Sequence, residues 1–72
     1  MNEKDFMAKI KAILDNEDVT MDSVLEDVEE WDSLSIVSFV AMANASCGKR
    51  VAPAVIRDCK TIRDLYTLLV SE

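Results

Sequence analysis

The chain has no histidine, one glycine, one proline and two cysteines among its 72 residues. Each scarcity removes a class of function. Without histidine there is no Ser–His or Cys–His pair to activate a nucleophile, and no imidazole for a zinc site. Cys47 and Cys59 form no CxxC pair, so they are expected as small buried apolar thiols in a reducing compartment. One glycine and one proline beside 50% hydrophobic residues leave little room for a disordered tail. Aromatic residues make up 6%, so the core must be mostly Val, Ile, Leu, Met and Ala.

Positive charge is scarce as well. Eight Lys and Arg face fourteen Asp and Glu, for a net charge of −6. Nucleic acid is not an expected partner, because its phosphates need cations, and an anionic membrane would repel the chain. A protein with a basic face would be attracted, mainly through faster encounter. The longest uncharged run, Ser33 to Gly48, contains serines and an asparagine and falls short of the roughly 20 apolar residues of a membrane span. The stretch "MNEKDFMAK" is charged early and shows no apolar signal segment. A cytoplasmic location is expected.

What is present reads as one small helical domain over residues 1–72, with a modest core. Phe6, Ile10, Ile13 and Leu14 form a helical stripe. Asn2 can cap that helix, which should end near Asp15–Asn16. From Asp15 to Asp32 there are nine of the fourteen acids and no base. Val19, Met21, Val24, Leu25, Val28 and Trp31 are scattered through this segment without sustained period. A long ordered loop is expected, pinned by those residues, with a helical turn near Ser23–Asp27.

Ser33 to about Ser46 should be a helix with two apolar stripes. Ile36, Phe39, Val40, Ala43 and Cys47 form one, and Leu34, Val37, Ala41 and Ala45 the other. One stripe suffices to dock a helix. The second marks either a fully buried helix or a face for a partner, and periodicity alone leaves both open. Gly48 should stop the helix, Pro53 should open a short helix to about Asp58, and Thr61 with Asp64 should open a last one to about Val70. The expected fold is all-α: three main helices and a short third one, with a long loop after the first and no strands.

Catalytic sets are thin. Glu29, Glu30 and Asp32 have no metal-ligand spacing, and the calcium-loop glycine is missing. Paired carboxylates of the glycosidase kind need a pocket that 72 residues hardly supply. No enzyme and no metal site is expected. Ser33 remains, where the acidic run meets the uncharged helix. Local chemistry leans toward Ser33 as the helix cap, its hydroxyl spent on a backbone N–H; with Asp32 as cap, Ser33 becomes the first helical residue. A phosphate ester there would meet the positive end of the helix dipole.

The run Trp31-Asp32-Ser33-Leu34 followed by "SIVSFVAMA" resembles the Asp-Ser-Leu attachment motif of acyl carrier and peptidyl carrier proteins. The resemblance covers nearly the whole chain, including the Leu25 anchor, the helix after Pro53 and the closing "TIRDLYTLL". It implies an acyl-carrier-like four-helix bundle, and 4′-phosphopantetheine on Ser33, taken from coenzyme A, with Asp32 and Leu34 beside it. It also implies a docking surface of Glu29, Glu30, Leu34, Val37 and Ala41, with Val40, Ala43, Cys47 and Val51 turned inward and Cys59 near the top of the last helix.

The implied partners are a phosphopantetheinyl transferase and acyl-ligase or ketosynthase-type enzymes, and a monomer is expected. Fatty-acid-type carriers usually bear acids on the helix after the serine. Here Ser35 and Ser38 stand in two of those places, and no acid occurs from Ser33 to Arg57. A dedicated pathway of fatty-acid or polyketide type is therefore expected. An aminoacyl or peptidyl carrier of a nonribosomal-peptide-like pathway and an unmodified helical adaptor are the alternatives. Small Ala43 and Cys47 on the inner stripe further suggest room for a tethered acyl chain.

Overall fold

The structure is a computed structural model and describes residues 1–70. Its helices are α1 (Glu3–Leu14), α2 (Ser33–Cys47), α3 (Pro53–Arg57) and α4 (Ile62–Val70), with a 3₁₀ turn at Leu25–Asp27. This is the expected all-α four-helix architecture. The expected domain bounds also include Ser71 and Glu72, which lie outside the described residues.

Each boundary has a local cause. The Asn2 side chain accepts the Asp5 N–H at 2.8 Å and opens α1. Asp15 closes it in the left-handed conformation, φ 51°, which Asp tolerates better than most residues. Gly48 closes α2 with φ 64°. Pro53 occupies the first turn of α3, where its missing N–H costs nothing. The Asp64 carboxylate accepts the N–H groups of Lys60 and Thr61 at 2.9 and 3.1 Å, and Thr61 Oγ1 accepts the Asp64 N–H at 3.3 Å.

The buried cluster draws on every element: Phe6, Ile10 and Leu14 of α1, Ile36, Phe39 and Ala43 of α2, Ile56 of α3, and Ile62, Leu65 and Leu69 of α4. Phe6 packs edge-on to Phe39 at 6.5 Å and to Tyr66 at 5.1 Å. Val19 and Leu25 of the loop are buried, whereas Val24 is 42% exposed. Cys47 and Cys59 are half-buried, so neither thiol is as enclosed as composition suggested.

The loop is stitched to the rest by its backbone. Leu25 N–H donates to the Lys60 carbonyl at 2.8 Å, and Val24 and Thr61 form an isolated antiparallel bridge. Ile62 and Arg63 donate to the carbonyls of Ser23 and Met21 at 3.1 and 2.8 Å. The loop thus satisfies N–H groups that the first turn of α4 would otherwise leave unpaired. Arg63 adds ion pairs to Glu3 and Asp22 at 3.2 and 3.3 Å; at such exposure these contribute little.

Ala43 is fully buried, one turn beyond the Phe39 that meets Phe6 of α1. Its small side chain belongs to a packed contact between helices. Ala43→Leu should therefore overpack the core and destabilise the chain by about 1–3 kcal/mol, rather than stabilise it. A urea melt of the unloaded protein checks this.

Candidate functional site

Ser33 sits where the loop turns into α2, and its neighbours fix that turn. Leu25 is buried upstream, and the Trp31 ring packs edge-on to Phe39 at 6.4 Å. Asp32 is extended (φ −138°, ψ −169°) and its carboxylate accepts the Ser35 N–H at 3.0 Å. Ser35 Oγ donates back to the Glu30 carbonyl and lies 3.3 Å from Asp32 Oδ1. Ser35 is buried, with 7% exposure. These bonds clamp residues 30–35 into one geometry.

The clamp makes Asp32 the cap and Ser33 the first helical residue. This corrects the lean toward Ser33 as cap. The capping distance to Ser35 is spanned from Asp32, three residues earlier, and Ser35 holds the carboxylate from two sides. Ser33 is exposed, and its hydroxyl makes no hydrogen bond among the described residues. The role of Ser35 was not found from sequence, although the spacing Asp32-x-x-Ser35 is that of a capping pair.

The Ser35 N–H holds the Asp32 carboxyl below its ordinary value; the Ser35 hydroxyl and Leu34 N–H act in the same direction, and desolvation opposes them. The Lys60 and Thr61 N–H groups do the same to Asp64. A carboxylate whose pKa is depressed on folding stabilises the fold above its unfolded value and loses that contribution as pH falls through the folded value. Helicity should thus hold from neutral pH to about pH 4 and decline below it. Asp32→Asn and Asp64→Asn should each flatten that decline, as followed by circular dichroism.

The two stripes of α2 separate cleanly. Ile36, Phe39 and Ala43 are buried, with Val40 and Cys47 half-buried beside them. On the other side Leu34 is 78% exposed and Val37 66%, and Ala41 and Ala45 are exposed too. The second stripe is a surface, not core. Glu29 and Glu30 are also exposed; Glu30 Oε1 accepts a hydrogen bond from Asn16 Nδ2 at 3.0 Å, which ties that carboxylate to the loop. Val51 and Cys59 are half-buried, and Cys59 precedes α4 rather than lying within it. Burial, then the nearby Asp64 and Asp58, pushes the Cys59 thiol up, away from reactivity.

A family model described as the phosphopantetheine attachment site matches residues 5–69, from α1 through α4. The chain belongs to that family. No curated protein and no solved structure matches it. Carrier proteins of this family hold 4′-phosphopantetheine covalently. The junction fits such a group. An exposed hydroxyl with no competing hydrogen bond stands on the first residue of a fifteen-residue helix, whose dipole favours the negative charge of a phosphodiester. No helix among the described residues is long and apolar enough to cross a membrane.

Proposed function

We propose that the chain forms a monomeric, cytoplasmic carrier domain whose attachment residue is Ser33. The single observation behind this is the unspent Ser33 hydroxyl at the start of α2, released by the Asp32 cap. When attached, the prosthetic group supplies a flexible arm with a terminal thiol that holds a thioester. The chain supplies position and recognition and performs no catalysis itself. Asp32 fixes the helix start, and Leu34, 78% exposed next to the serine, gives an apolar contact to whichever enzyme approaches.

The carried group is an acyl intermediate of a dedicated fatty-acid- or polyketide-like pathway, handled by acyl-ligase or ketosynthase-type enzymes. This reading is supported by the displacement of acids from α2 to the preceding loop, where fatty-acid-type carriers usually keep them on the helix. Intact mass after co-expression with a phosphopantetheinyl transferase tests the carrier reading, since an unmodified adaptor gains nothing. The mass of the loaded form then separates acyl from aminoacyl cargo.

Recognition by the transferase should use Glu29 and Glu30 together with Leu34, Val37 and Ala41. Reversing Glu29 and Glu30 to Lys should slow modification by roughly ten-fold at low salt, and the difference should shrink as salt screens it. An initial-rate series against ionic strength checks this; a rate indifferent to salt in both proteins would remove the loop from the docking surface.

A further inference from the structure

Ser35 is the one buried polar side chain among the described residues, with 7% exposure. A buried hydroxyl needs partners, and Ser35 finds them inside the turn that leads into α2. Its Oγ donates to the Glu30 carbonyl, with Asp32 Oδ1 3.3 Å away. Its backbone N–H donates to the same Asp32 oxygen at 3.0 Å. Glu30 is itself held from the α1 side. Asn16 Nδ2 donates to Glu30 Oε1 at 3.0 Å, and the Asn16 N–H donates to the Lys11 carbonyl at 3.2 Å. The bond from residue 35 back to residue 30 therefore spans Ser33 and ties the start of α2 to a fixed point of the loop.

That span settles a competition between neighbours. Asp and Ser are nearly equal as helix caps, and Asp32 and Ser33 are adjacent. With Ser33 as cap, the helix would begin at Leu34, and the Ser33 hydroxyl would accept the N–H of Ser35 or Ile36. Asp32 claims both donors: its carbonyl accepts the Ile36 N–H at 3.0 Å, and its carboxylate accepts the Ser35 N–H. The Asp32 carboxyl is held below its ordinary value first by that Ser35 N–H and then, against desolvation, by the Ser35 hydroxyl.

We propose that Ser35 is a positioning residue for the modification of Ser33: its hydroxyl, bonded to the Glu30 carbonyl, locks the cap on Asp32 and keeps the Ser33 hydroxyl out of the helix's own hydrogen bonds. In that reaction Ser33 Oγ bonds to the phosphorus nearest the pantetheine of coenzyme A and the pyrophosphate bond breaks. Adenosine bisphosphate leaves, and the Ser33 proton passes to a base supplied by the transferase. Ser35 touches none of the reacting atoms and acts through Glu30 and Asp32. This deepens the carrier reading and rests on it in taking Ser33 as the attachment residue.

The test compares wild-type, Ser35→Ala and Ser35→Thr chains with coenzyme A, Mg²⁺ and a transferase, at a temperature where circular dichroism shows each folded. Ser35→Ala should lower kcat at least about two-fold, because equal caps leave half of the chains with the Ser33 hydroxyl engaged. KM for the chain should not change, since the exposed surface is untouched. Ser35→Thr keeps the hydroxyl and should recover the rate. In Ser35→Ala the ¹³Cα and ¹³Cβ shifts of Ser33 should move from helical toward extended values, and the Asp32 carboxyl should titrate nearer its ordinary value. A merely structural role would lower the melting temperature and move neither. In the wild-type chain the Ser35 hydroxyl proton should exchange slowly with water. Unchanged kcat or unchanged Ser33 shifts in Ser35→Ala, a rise in KM alone, a Thr variant no faster than the Ala variant, or a freely exchanging Ser35 hydroxyl would each overturn the proposal. Failure of the Ser33 reading would show separately, as wild-type chain that gains no mass, while the shift and exchange measurements still read the hold of Ser35 on Asp32.

Discussion

Incubated with coenzyme A, Mg²⁺ and a phosphopantetheinyl transferase, the wild-type chain should gain one phosphopantetheine, and Ser33→Ala should gain none. The contrast is expected because the other described serines are placed differently. Ser35 is buried and spends its hydroxyl on the Glu30 carbonyl. Ser23 accepts the Thr20 N–H at 2.8 Å inside the loop. Ser38 and Ser46 lie within α2, away from its N-terminus. Among the described residues, only Ser33 combines exposure, an uncommitted hydroxyl and the positive end of a helix. Asp32→Ala separates position from chemistry: losing the cap should cost about 1 kcal/mol of stability and slow the reaction while leaving its end point at one group. Mass gained by Ser33→Ala, or peptide mapping that puts the group on another serine, would refute the assignment.

Helices were legible because their signals are local. Asn2, Gly48, Pro53 and the Thr61–Asp64 pair act within a few residues of where they sit, and the stripe of Phe6, Ile10 and Leu14 repeats at the helical period. The loop was legible only as a loop. Its anchors Val19 and Leu25 have no period, and its hydrogen bonds to the carbonyls and N–H groups of residues 60–63 are made by backbone, which carries no residue-type signature. The site itself lay between these cases. The sequence contained both possible caps, Asp32 and Ser33, and propensity ranks them nearly equal. What decided between them was Ser35, turned inward to bond both Glu30 and Asp32. The choice between a buried and an exposed second stripe likewise needed tertiary packing, because α1 and α3 cover one side of α2 and leave Leu34 and Val37 bare.

Phe39→Ala should cost the molecule much of its stability, while Val37→Asp, two residues away, should leave it nearly unchanged. Phe39 is fully buried and joins two parts of the chain: its ring meets Phe6 of α1 at 6.5 Å and Trp31 of the loop at 6.4 Å. Truncating such a side chain costs about 3–5 kcal/mol. A domain of this length has roughly 4–11 kcal/mol in all, so the loss consumes much of its stability and lowers the melting temperature by more than about 10 °C. Trp31 should report it directly, since its half-buried indole loses the ring it packs against. Val37 is 66% exposed on the opposite side of the helix, where a charge meets water and costs little. Its variant should keep wild-type helical circular dichroism and melting temperature but be modified several-fold more slowly by the transferase. If Val37→Asp also unfolds the chain, the exposed stripe is part of the core and the docking face fails with it. If Phe39→Ala melts like the wild type, the core does not depend on the ring that joins α1, α2 and the loop before Ser33.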